Sequence, residues 1–245
     1  MPVGTTPDAR ALAALYAVPV AASIGPCASG ADSPFPEERR HVARAVASRR
    51  AEFVAVRARA RDALAALGGP RAALVPRPDR SPAWPAGFVG SLSHSPTLCA
   101  AVVARAADAA SLGLDLEPDG PLDAALVRTV CTERERRTLD GMSSAAALVL
   151  AKRLFSAKEA FYKCQYPLTG ARLSCVQVSL ELDPVSGEFA VAAVDLAGEA
   201  GRVAARVRGR CATLGAHVVS AALATVPPTA RSTGTGSDDA ERPGA

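Results

Sequence analysis

Two acidic side chains stand two positions apart in the segment Gly113-Leu114-Asp115-Leu116-Glu117. Successive side chains of a β-strand point to opposite faces, so the leucines would be buried while Asp115 and Glu117 project together. Their Cα atoms would lie about 6.6–6.8 Å apart, close enough for two carboxylates to share one hard cation such as Mg²⁺. The alternative is an edge strand whose acids merely face solvent, and this segment taken alone favours that alternative.

The lysines of the chain are confined to a second segment. Lys152, Lys158 and Lys163 lie within twelve residues, and every other positively charged side chain is arginine. At a helical period, Ser156 and Glu159 fall on the same stripe as Lys152 and Lys163, whereas Lys158 lies on its flank. An exposed Glu–Lys pair is the alternative. The confinement of compact ammonium groups to this one helix favours a functional site.

A third segment, Val89 to Ser95, combines glycine, serines and a histidine. As a turn, it would present backbone N–H, hydroxyl and imidazole groups to a phosphate. An ordinary loop is the alternative, and it is favoured for this segment alone. His41 and His217 are interpreted as structural. The six scattered cysteines form no C-x-x-C pair and are expected to be reduced and mostly buried.

The patterns around these segments predict both helices and strands. Residues 1–34 read as an irregular arm, followed by helix to Leu67 with a break near Ser48, and then a proline-rich connection holding Trp84. A second helical region, in two pieces, spans residues 121–165. The predicted strands are Leu98 to Ala104, Leu112 to Glu117, Leu173 to Glu181, Glu188 to Val194, Gly201 to Arg208 and Ala216 to Thr225. Because helices and strands are mixed without strict alternation, the fold class is α+β.

The composition narrows the function classes. The 245 residues are 49% hydrophobic, enough to build a core, and the net charge is +4. Residues 1–107 carry a net charge of +6 and the remainder −2, which suits anion binding in the first part and metal binding in the second. A solvated helix face rich in arginine is an equally good explanation of the charge alone. A modest net charge and 4% aromatic residues disfavour a nucleic-acid binder. No secretion signal or membrane span is predicted, so a cytoplasmic location is expected.

Together, the three segments resemble the 4′-phosphopantetheinyl transferase superfamily. The family pattern is a Ser-His turn, then G-[IVL]-D-x-E, then [WF]-x-x-K-E-A-x-x-K, and the matching segments are Ser93-His94, Gly113 to Glu117 and Phe155 to Lys163. Further matches, at Phe35 to Arg39, Arg49 to Phe53, Trp84-Pro85 and Tyr166 to Thr169, are similar to the siderophore-synthase branch, which includes enterobactin-type and mycobacterial-type enzymes.

The resemblance implies a pseudo-dimer of two similar α+β subdomains with the active site at their interface. The expected division is an N-terminal, coenzyme A-binding subdomain at 1–107, a C-terminal subdomain at 108–227 with the metal and catalytic helix, and a disordered tail at 228–245. The implied reaction is Mg²⁺-dependent, with Mn²⁺ as an alternative metal. It moves the phosphopantetheine group of coenzyme A to a serine of an acyl or peptidyl carrier protein and releases 3′,5′-ADP.

The resemblance also assigns residues. The implied metal ligands are Asp115, Glu117 and Glu159, with the Leu116 carbonyl near the metal. Glu159 and Lys163 are the implied catalytic residues. The implied coenzyme A contacts are Arg49, Arg57, Ser93, His94, Asp115, Lys158 and Lys163, with Arg77 standing in for a basic residue that relatives carry before Trp-Pro. A second departure is Cys211, where relatives carry tryptophan.

Two other functions are compatible with parts of this pattern. Another Mg²⁺-dependent phosphoryl-transfer enzyme would require a Walker-type loop or a denser carboxylate cluster, and the sequence has neither. A non-catalytic relative that only binds coenzyme A or carrier proteins would be expected to have lost one of the acids. All three acids are present.

Overall fold

The chain forms an α+β fold with two antiparallel sheets in the computed structural model, which describes residues 8–27 and 32–226. The strands are β1 (Ala21–Pro26), β2 (Phe88–His94), β3 (Leu98–Arg105), β4 (Ser111–Pro118), β5 (Val178–Leu182), β6 (Glu188–Val194), β7 (Arg208–Leu214) and β8 (His217–Ala224). The α-helices are α1 (Ala9–Ala13), α2 (Pro36–Val42), α3 (Ala47–Ala66), α4 (Val127–Val130), α5 (Glu133–Asp140), α6 (Ser144–Thr169) and α7 (Gly198–Ala204). Short 3₁₀ segments cover Ala124–Leu126 and Cys175–Gln177.

The N-terminal half is a three-stranded sheet in the order β1-β3-β2, with helix α3 packed on it. Strand β3 is buried from Leu98 to Ala104 because both of its faces are covered. Ala101 and Val103 face α3, whereas Ala100 and Val102 belong to a core shared with β4 and β8. The central strand therefore connects the helix layer of this half with the other half.

The C-terminal half is a five-stranded sheet in the order β4-β8-β7-β6-β5, packed against the 26-residue helix α6. The N-cap of the helix is Ser143, whose hydroxyl accepts a hydrogen bond from the Ala146 N–H, and its C-cap is Gly170 in the left-handed conformation. Leu154, Ala157 and Phe161 face the sheet, as the helical period predicts. The α+β class is confirmed, and the two halves fit the pseudo-dimer description.

The halves meet where the edge strands β2 and β4 run side by side. The Ser91 hydroxyl accepts a hydrogen bond from the Leu114 N–H at 2.9 Å, and the Ser93 hydroxyl accepts one from the Leu116 N–H at 3.1 Å. These serines satisfy backbone donors that a buried strand edge would otherwise leave unpaired. The segment predicted as a turn is therefore a strand, and its serines align β4.

Strand β4 also touches helix α6 backbone to backbone at Gly113. A Cβ atom on Gly113 would lie 1.9 Å from the carbonyl oxygen of Ala160. Only glycine allows this approach, because any side chain would separate the strand from the helix. Since Asp115 follows Gly113 by two residues and Glu159 directly precedes Ala160, the contact fixes how the predicted site residues face each other.

Three further predictions about secondary structure are wrong. The strand predicted from Leu173 to Glu181 begins only at Val178, because a 3₁₀ segment covers Cys175–Gln177. The N-terminal arm is not irregular throughout, since it contains α1 and β1. The segment from Gly201 to Arg208 is not a strand, because α7 occupies its first half and β7 begins at Arg208. Its buried residues are Gly201, Ala204 and Val207, and this spacing of three positions belongs to a helix.

Other predictions are confirmed. The helical region after residue 35 breaks between Val42 and Ala47, near the expected Ser48. The region before residue 165 also divides, with Gly141 ending α5 and Ser143 capping α6. The division into subdomains at 1–107 and 108–227 stays a prediction, although the three-stranded sheet precedes residue 107 and the five-stranded sheet follows it. The predicted tail at 228–245 lies outside the described residues.

The expectation that the cysteines are all reduced is wrong for one pair. Cys27 and Cys99 are joined by a disulfide, 72 positions apart in the chain, with their Cα atoms 5.0 Å apart. Pairing of β1 with β3 sets Gly25 opposite Cys99 and so brings Cys27 alongside. The other four cysteines are free thiols. No helix in the described residues is long and apolar enough to cross a membrane.

The contact at Gly113 predicts a large cost for one methyl group. We expect Gly113→Ala to lower the free energy of unfolding by roughly 1–3 kcal/mol or more, because the strand must move away from the helix. Denaturant unfolding measures the change. Gly141→Ala is the matched control, since its Cβ would meet nothing closer than 3.8 Å. Equal stability of the two variants would contradict the proposed close contact.

Candidate active site

A cleft of about 1090 Å³ opens between the halves. Its walls come from α3, the loop before β2, β2 itself and the second part of α6. Of the predicted site residues it is lined by Arg49, Arg57, Arg77, Ser93, His94 and Lys163. Arg80 and Arg172 add further positive charge, against the acids Glu52 and Asp79. A basic cleft of this kind attracts anionic ligands.

Arg49 and His94 meet at the rim of the cleft around a shared acid. Arg49 Nη1 lies 3.1 Å from Glu52 Oε2 and 3.4 Å from His94 Nε2, and Glu52 Oε2 is 3.3 Å from His94 Nε2. Both basic side chains are more than a third exposed. The structure therefore brings together two side chains that are predicted to contact coenzyme A, and Glu52 orients both of them.

Arg57 forms part of the cleft wall and is itself buried. Its Nε donates to the Leu74 carbonyl at 2.6 Å, and its guanidinium lies 3.3 Å from the centre of the Phe53 ring. Burial lowers the pKa of Arg57 to about 10, with the charge of Glu38 opposing this shift. Two of its N–H groups thus donate to carbonyls within the wall, those of Leu74 and Phe53. Its contact with coenzyme A stays a prediction.

Lys163 connects the cleft to the acidic strand. Its ammonium donates to Asp115 Oδ1 at 2.8 Å, to the Leu114 carbonyl at 3.0 Å and to the Ser93 hydroxyl at 3.2 Å. The Ser93 hydroxyl also lies 3.3 Å from Asp115 Oδ1. Strand β2, strand β4 and helix α6 thus contribute one polar side chain each to a single cluster at the boundary between the halves.

A second lysine pairs with the second acid of the strand. Lys152 Nζ donates to Glu117 Oε2 at 2.6 Å, and both side chains are largely buried. Lys152 shares a helical stripe with Lys163, but no motif of the sequence indicates a function for it. Asp115 and Glu117 therefore project in one direction, as predicted, and each meets an ammonium group from α6.

Glu159 lies between these two lysines along the helix. Burial raises the pKa of its carboxyl group. The ammonium of Lys163 lowers this pKa, whereas the negative charges of Asp115 and Glu117 raise it further. The charges of both other acids thus affect the pKa of Glu159, and a cation bound between the three carboxylates would reduce their mutual repulsion.

The three acids do not form a ready-made metal cluster. In residues 8–27 and 32–226, no three His, Cys, Asp or Glu side chains are arranged to hold a metal ion. The donor chemistry nevertheless fits a hard cation, since Asp115 Oδ2 is buried without a hydrogen-bond partner. Leu116, whose carbonyl was predicted near the metal, is buried on β4 between Asp115 and Glu117.

The prediction that Lys158 contacts a phosphate is not supported by its position. Its ammonium donates to Glu135 Oε2 at 2.6 Å and to the carbonyls of Val130 and Cys175 at 2.8 Å each. Only 1% of its side chain is exposed. All three donors are therefore used inside the C-terminal half, and the flank of the helix predicted for Lys158 faces the protein interior.

An aromatic pair that none of the sequence motifs indicates also lines the cleft. Tyr162 and Tyr166 stack with ring centres 5.5 Å apart, and both line the cleft beside Lys163. Their spacing of four residues on a helix was the available signal. Trp84, predicted as a packing anchor, also lines the cleft, while it packs against the core under α3.

His217 has the structural role that was predicted for it. It lies at the start of β8, and its Nε2 lies 3.1 Å from the Ser95 hydroxyl and 3.3 Å from that of Thr97. Both hydroxyls belong to the turn after His94, so the contact joins the two halves. Burial lowers the pKa of His217, and the charge of Asp119 partly opposes this shift.

Two family models match the chain. The first, described as the 4′-phosphopantetheinyl transferase N-terminal domain, matches residues 37–104. The second, described as the 4′-phosphopantetheinyl transferase superfamily, matches residues 111–208. The first match covers α2 to β3 and the second covers β4 to the start of β7, so they divide where one sheet ends and the other begins.

Three curated relatives are similar to more than half of the chain. The chain is 48% identical over 156 residues to the 4′-phosphopantetheinyl transferase Svp of Streptomyces mobaraensis, covering 63% of each protein. It is 42% identical over 137 residues to PptT of Mycobacterium tuberculosis, covering 56% of this chain and 60% of the relative. It is 38% identical over 152 residues to Npt of Nocardia iowensis, covering 62% and 68% respectively. The chain thus spans less than two thirds of the first two relatives.

The burial of Lys158 predicts a stability defect. We expect Lys158→Met to lower the free energy of unfolding by roughly 3–5 kcal/mol, because Glu135 would keep a buried charge without its partner. Lys158→Met combined with Glu135→Gln should recover part of this loss. Arg134→Met, which removes an exposed pairing with Glu181, is the control and should change stability little. Wild-type stability of Lys158→Met would show that the ammonium is not enclosed.

The lowered pKa of His217 predicts a pH dependence of stability. Below pH of about 6.5, the unfolded chain binds a proton that folded His217 resists, so stability falls as pH drops through this value. We expect His217→Gln to flatten the decline in thermal midpoint between pH 7 and 5. His41→Gln, which replaces an exposed histidine, should keep the wild-type slope. An unchanged slope in His217→Gln would refute this assignment.

Proposed function

Because the chain belongs to the 4′-phosphopantetheinyl transferase superfamily, we propose that it moves the 4′-phosphopantetheine group of coenzyme A onto a serine of a carrier protein. The products are the holo carrier and 3′,5′-ADP. The observation that carries the proposal is the polar cluster of Ser93, Asp115 and Lys163 at the edge of a basic cleft between the halves, with the charges of Asp115 and Glu117 acting on Glu159.

Coenzyme A binds in the cleft by its phosphates. The exposed guanidinium of Arg49 and the imidazole of His94 meet one phosphate, and Arg77, which also lines the cleft, meets another. Lys163 bonds to the diphosphate from α6, where its compact ammonium suits a point contact. Arg57 supports this surface from within the wall. The excess of basic side chains in the cleft supports an anionic ligand of this size.

Asp115, Glu117 and Glu159 would hold Mg²⁺, or Mn²⁺ in its place, with the Leu116 carbonyl close by. The unpartnered oxygen of Asp115 and the mutual repulsion of the acids support this assignment. When bound, such an ion polarises the diphosphate and offsets its charge. The protein itself supplies positioning, which is what phosphoryl transfer chiefly requires.

Glu159 accepts the proton of the attacking serine hydroxyl, directly or through water. Its raised pKa supports this role, because a carboxylate with higher proton affinity is a better base. Lys163 offsets the charge that grows on the leaving phosphate, and its bond to Asp115 holds the ammonium near that position.

The protein partner is an acyl or peptidyl carrier protein or carrier domain, and the protein acts in the cytoplasm.

Within the family, we assign the chain to the siderophore-synthase branch. The segments Phe35 to Arg39, Arg49 to Phe53 and Tyr166 to Thr169 support this branch, as does the similarity to the mycobacterial relative. The pathways served are those of polyketides, nonribosomal peptides or siderophores.

The direct test is a mass spectrum of an apo carrier protein after incubation with coenzyme A and Mg²⁺. We expect a gain of about 340 Da on one serine. Asp115→Ala and Glu159→Ala should each reduce the transfer rate by roughly two to three orders of magnitude, because each removes charge that positions the reacting groups. Both variants should keep the wild-type circular dichroism spectrum.

Glu181→Ala serves as the matched control, since it removes an acid that pairs with Arg134 outside the cleft. It should transfer at the wild-type rate. Absence of any mass gain across acyl and peptidyl carriers would refute the proposal. Wild-type rates in Asp115→Ala or Glu159→Ala would refute the assigned roles.

A further inference from the structure

The contact between Lys152 and Glu117 has no place in the reaction just proposed. Lys152 comes from α6, two turns before Glu159, and its ammonium lies 2.6 Å from the Glu117 carboxylate on β4. The side chains are 14% and 26% exposed, so the pair is shielded from much of the solvent. A shielded ammonium competes with any other cation for the same carboxylate.

The two lysines of the site are bound differently. Lys163 has three acceptors and lies on the cleft. Lys152, within the described residues, has Glu117 as its one hydrogen-bond acceptor. Its ammonium also lies 5.8 Å from the centre of the Phe155 ring, a second favourable position for a cation. Release of Lys152 from Glu117 therefore breaks one hydrogen bond and leaves the ammonium beside an aromatic face.

The charge balance favours such a release. Three carboxylates and two ammonium groups leave the site with one net negative charge. A divalent ion added to the intact cluster would meet Asp115 and Glu117 already paired with lysines. Withdrawal of the Lys152 ammonium frees an oxygen ligand and removes one repelling charge.

We propose that Lys152 is an internal counter-ion that holds Glu117 in the metal-free protein and is displaced when a divalent cation takes over that carboxylate. Lys152 is thus a positioning residue, and it sets the metal affinity of this chain. The inference rests on the proposed function for the location of the metal. It concerns the exchange of one cation for another and does not depend on which carrier is modified.

The three lysines make the exchange directly observable. In protein labelled with ¹³C only in lysine, each of the three ammonium-bearing Cε groups gives its own signal. Titration with Mg²⁺ alone should shift the Lys152 signal towards that of a free lysine, whereas Lys158, enclosed in the C-terminal half, stays in place as the internal control. A Lys152 signal that does not move at saturating Mg²⁺ would overturn the inference.

Substitution gives an independent measurement. We expect Lys152→Met to bind Mn²⁺ about tenfold tighter than wild type in the absence of coenzyme A, because a competing charge is gone. The electron paramagnetic resonance signal of free Mn²⁺ reports this affinity without any activity assay. Lys152→Arg keeps the charge and should bind within about threefold of wild type. Equal or weaker binding by Lys152→Met would contradict the proposal.

A further variant tests whether the effect passes through Glu117. In a Glu117→Gln background, Lys152→Met should no longer change Mn²⁺ affinity. A tenfold gain that persists there would overturn the inference. If these metal results hold while no carrier protein gains mass, the inference stands and the proposed transfer reaction fails. The wild-type titration decides the inference even where Lys152→Met does not fold.

Discussion

The contact of strand β4 with helix α6 at Gly113 is the constraint on which the site depends. With no side chain between them, the strand and helix backbones meet, and a Cβ at this position would lie 1.9 Å from the Ala160 carbonyl oxygen. Asp115 follows the contact on the strand, while Glu159 and Lys163 flank it on the helix. The charged groups of two elements thus face each other at a separation set by backbone packing, which is stiffer than any arrangement of long side chains.

The same strand is held from its other side by the N-terminal half. Ser91 and Ser93 accept hydrogen bonds from β4, so hydroxyl groups take the place of a neighbouring backbone. A regular strand at this edge would have continued one sheet through both halves. Serine side chains instead join the sheets while leaving a cleft beside them, and Ser93 also contacts Lys163 at the end of that cleft.

Each lysine of the chain bonds to a carboxylate, but in a different environment. Lys158 is enclosed with Glu135, Lys163 bonds to Asp115 at the cleft, and Lys152 bonds to Glu117 in a shielded position with one acceptor. Burial distinguishes Lys158, whose side chain is 1% exposed, from Lys152 and Lys163, whose side chains are 14% and 29% exposed. The confinement of lysine to α6 indicated that this helix belongs to the site. The partners and the burial of each ammonium group then distinguished the three lysines from one another.

The sequence alone determined the α+β class, the acidic strand, the lysine-bearing helix and the family, because alternation, helical period and motif spacing are local properties. The tertiary structure decided the contacts between residues that lie far apart in the chain. It paired Cys27 with Cys99, turned Ser91 and Ser93 towards β4, directed Lys158 inward and joined Lys152 to Glu117. Periodicity gives the face of a helix on which a side chain lies, but only the packing of that helix decides whether the face meets a cleft or the protein interior.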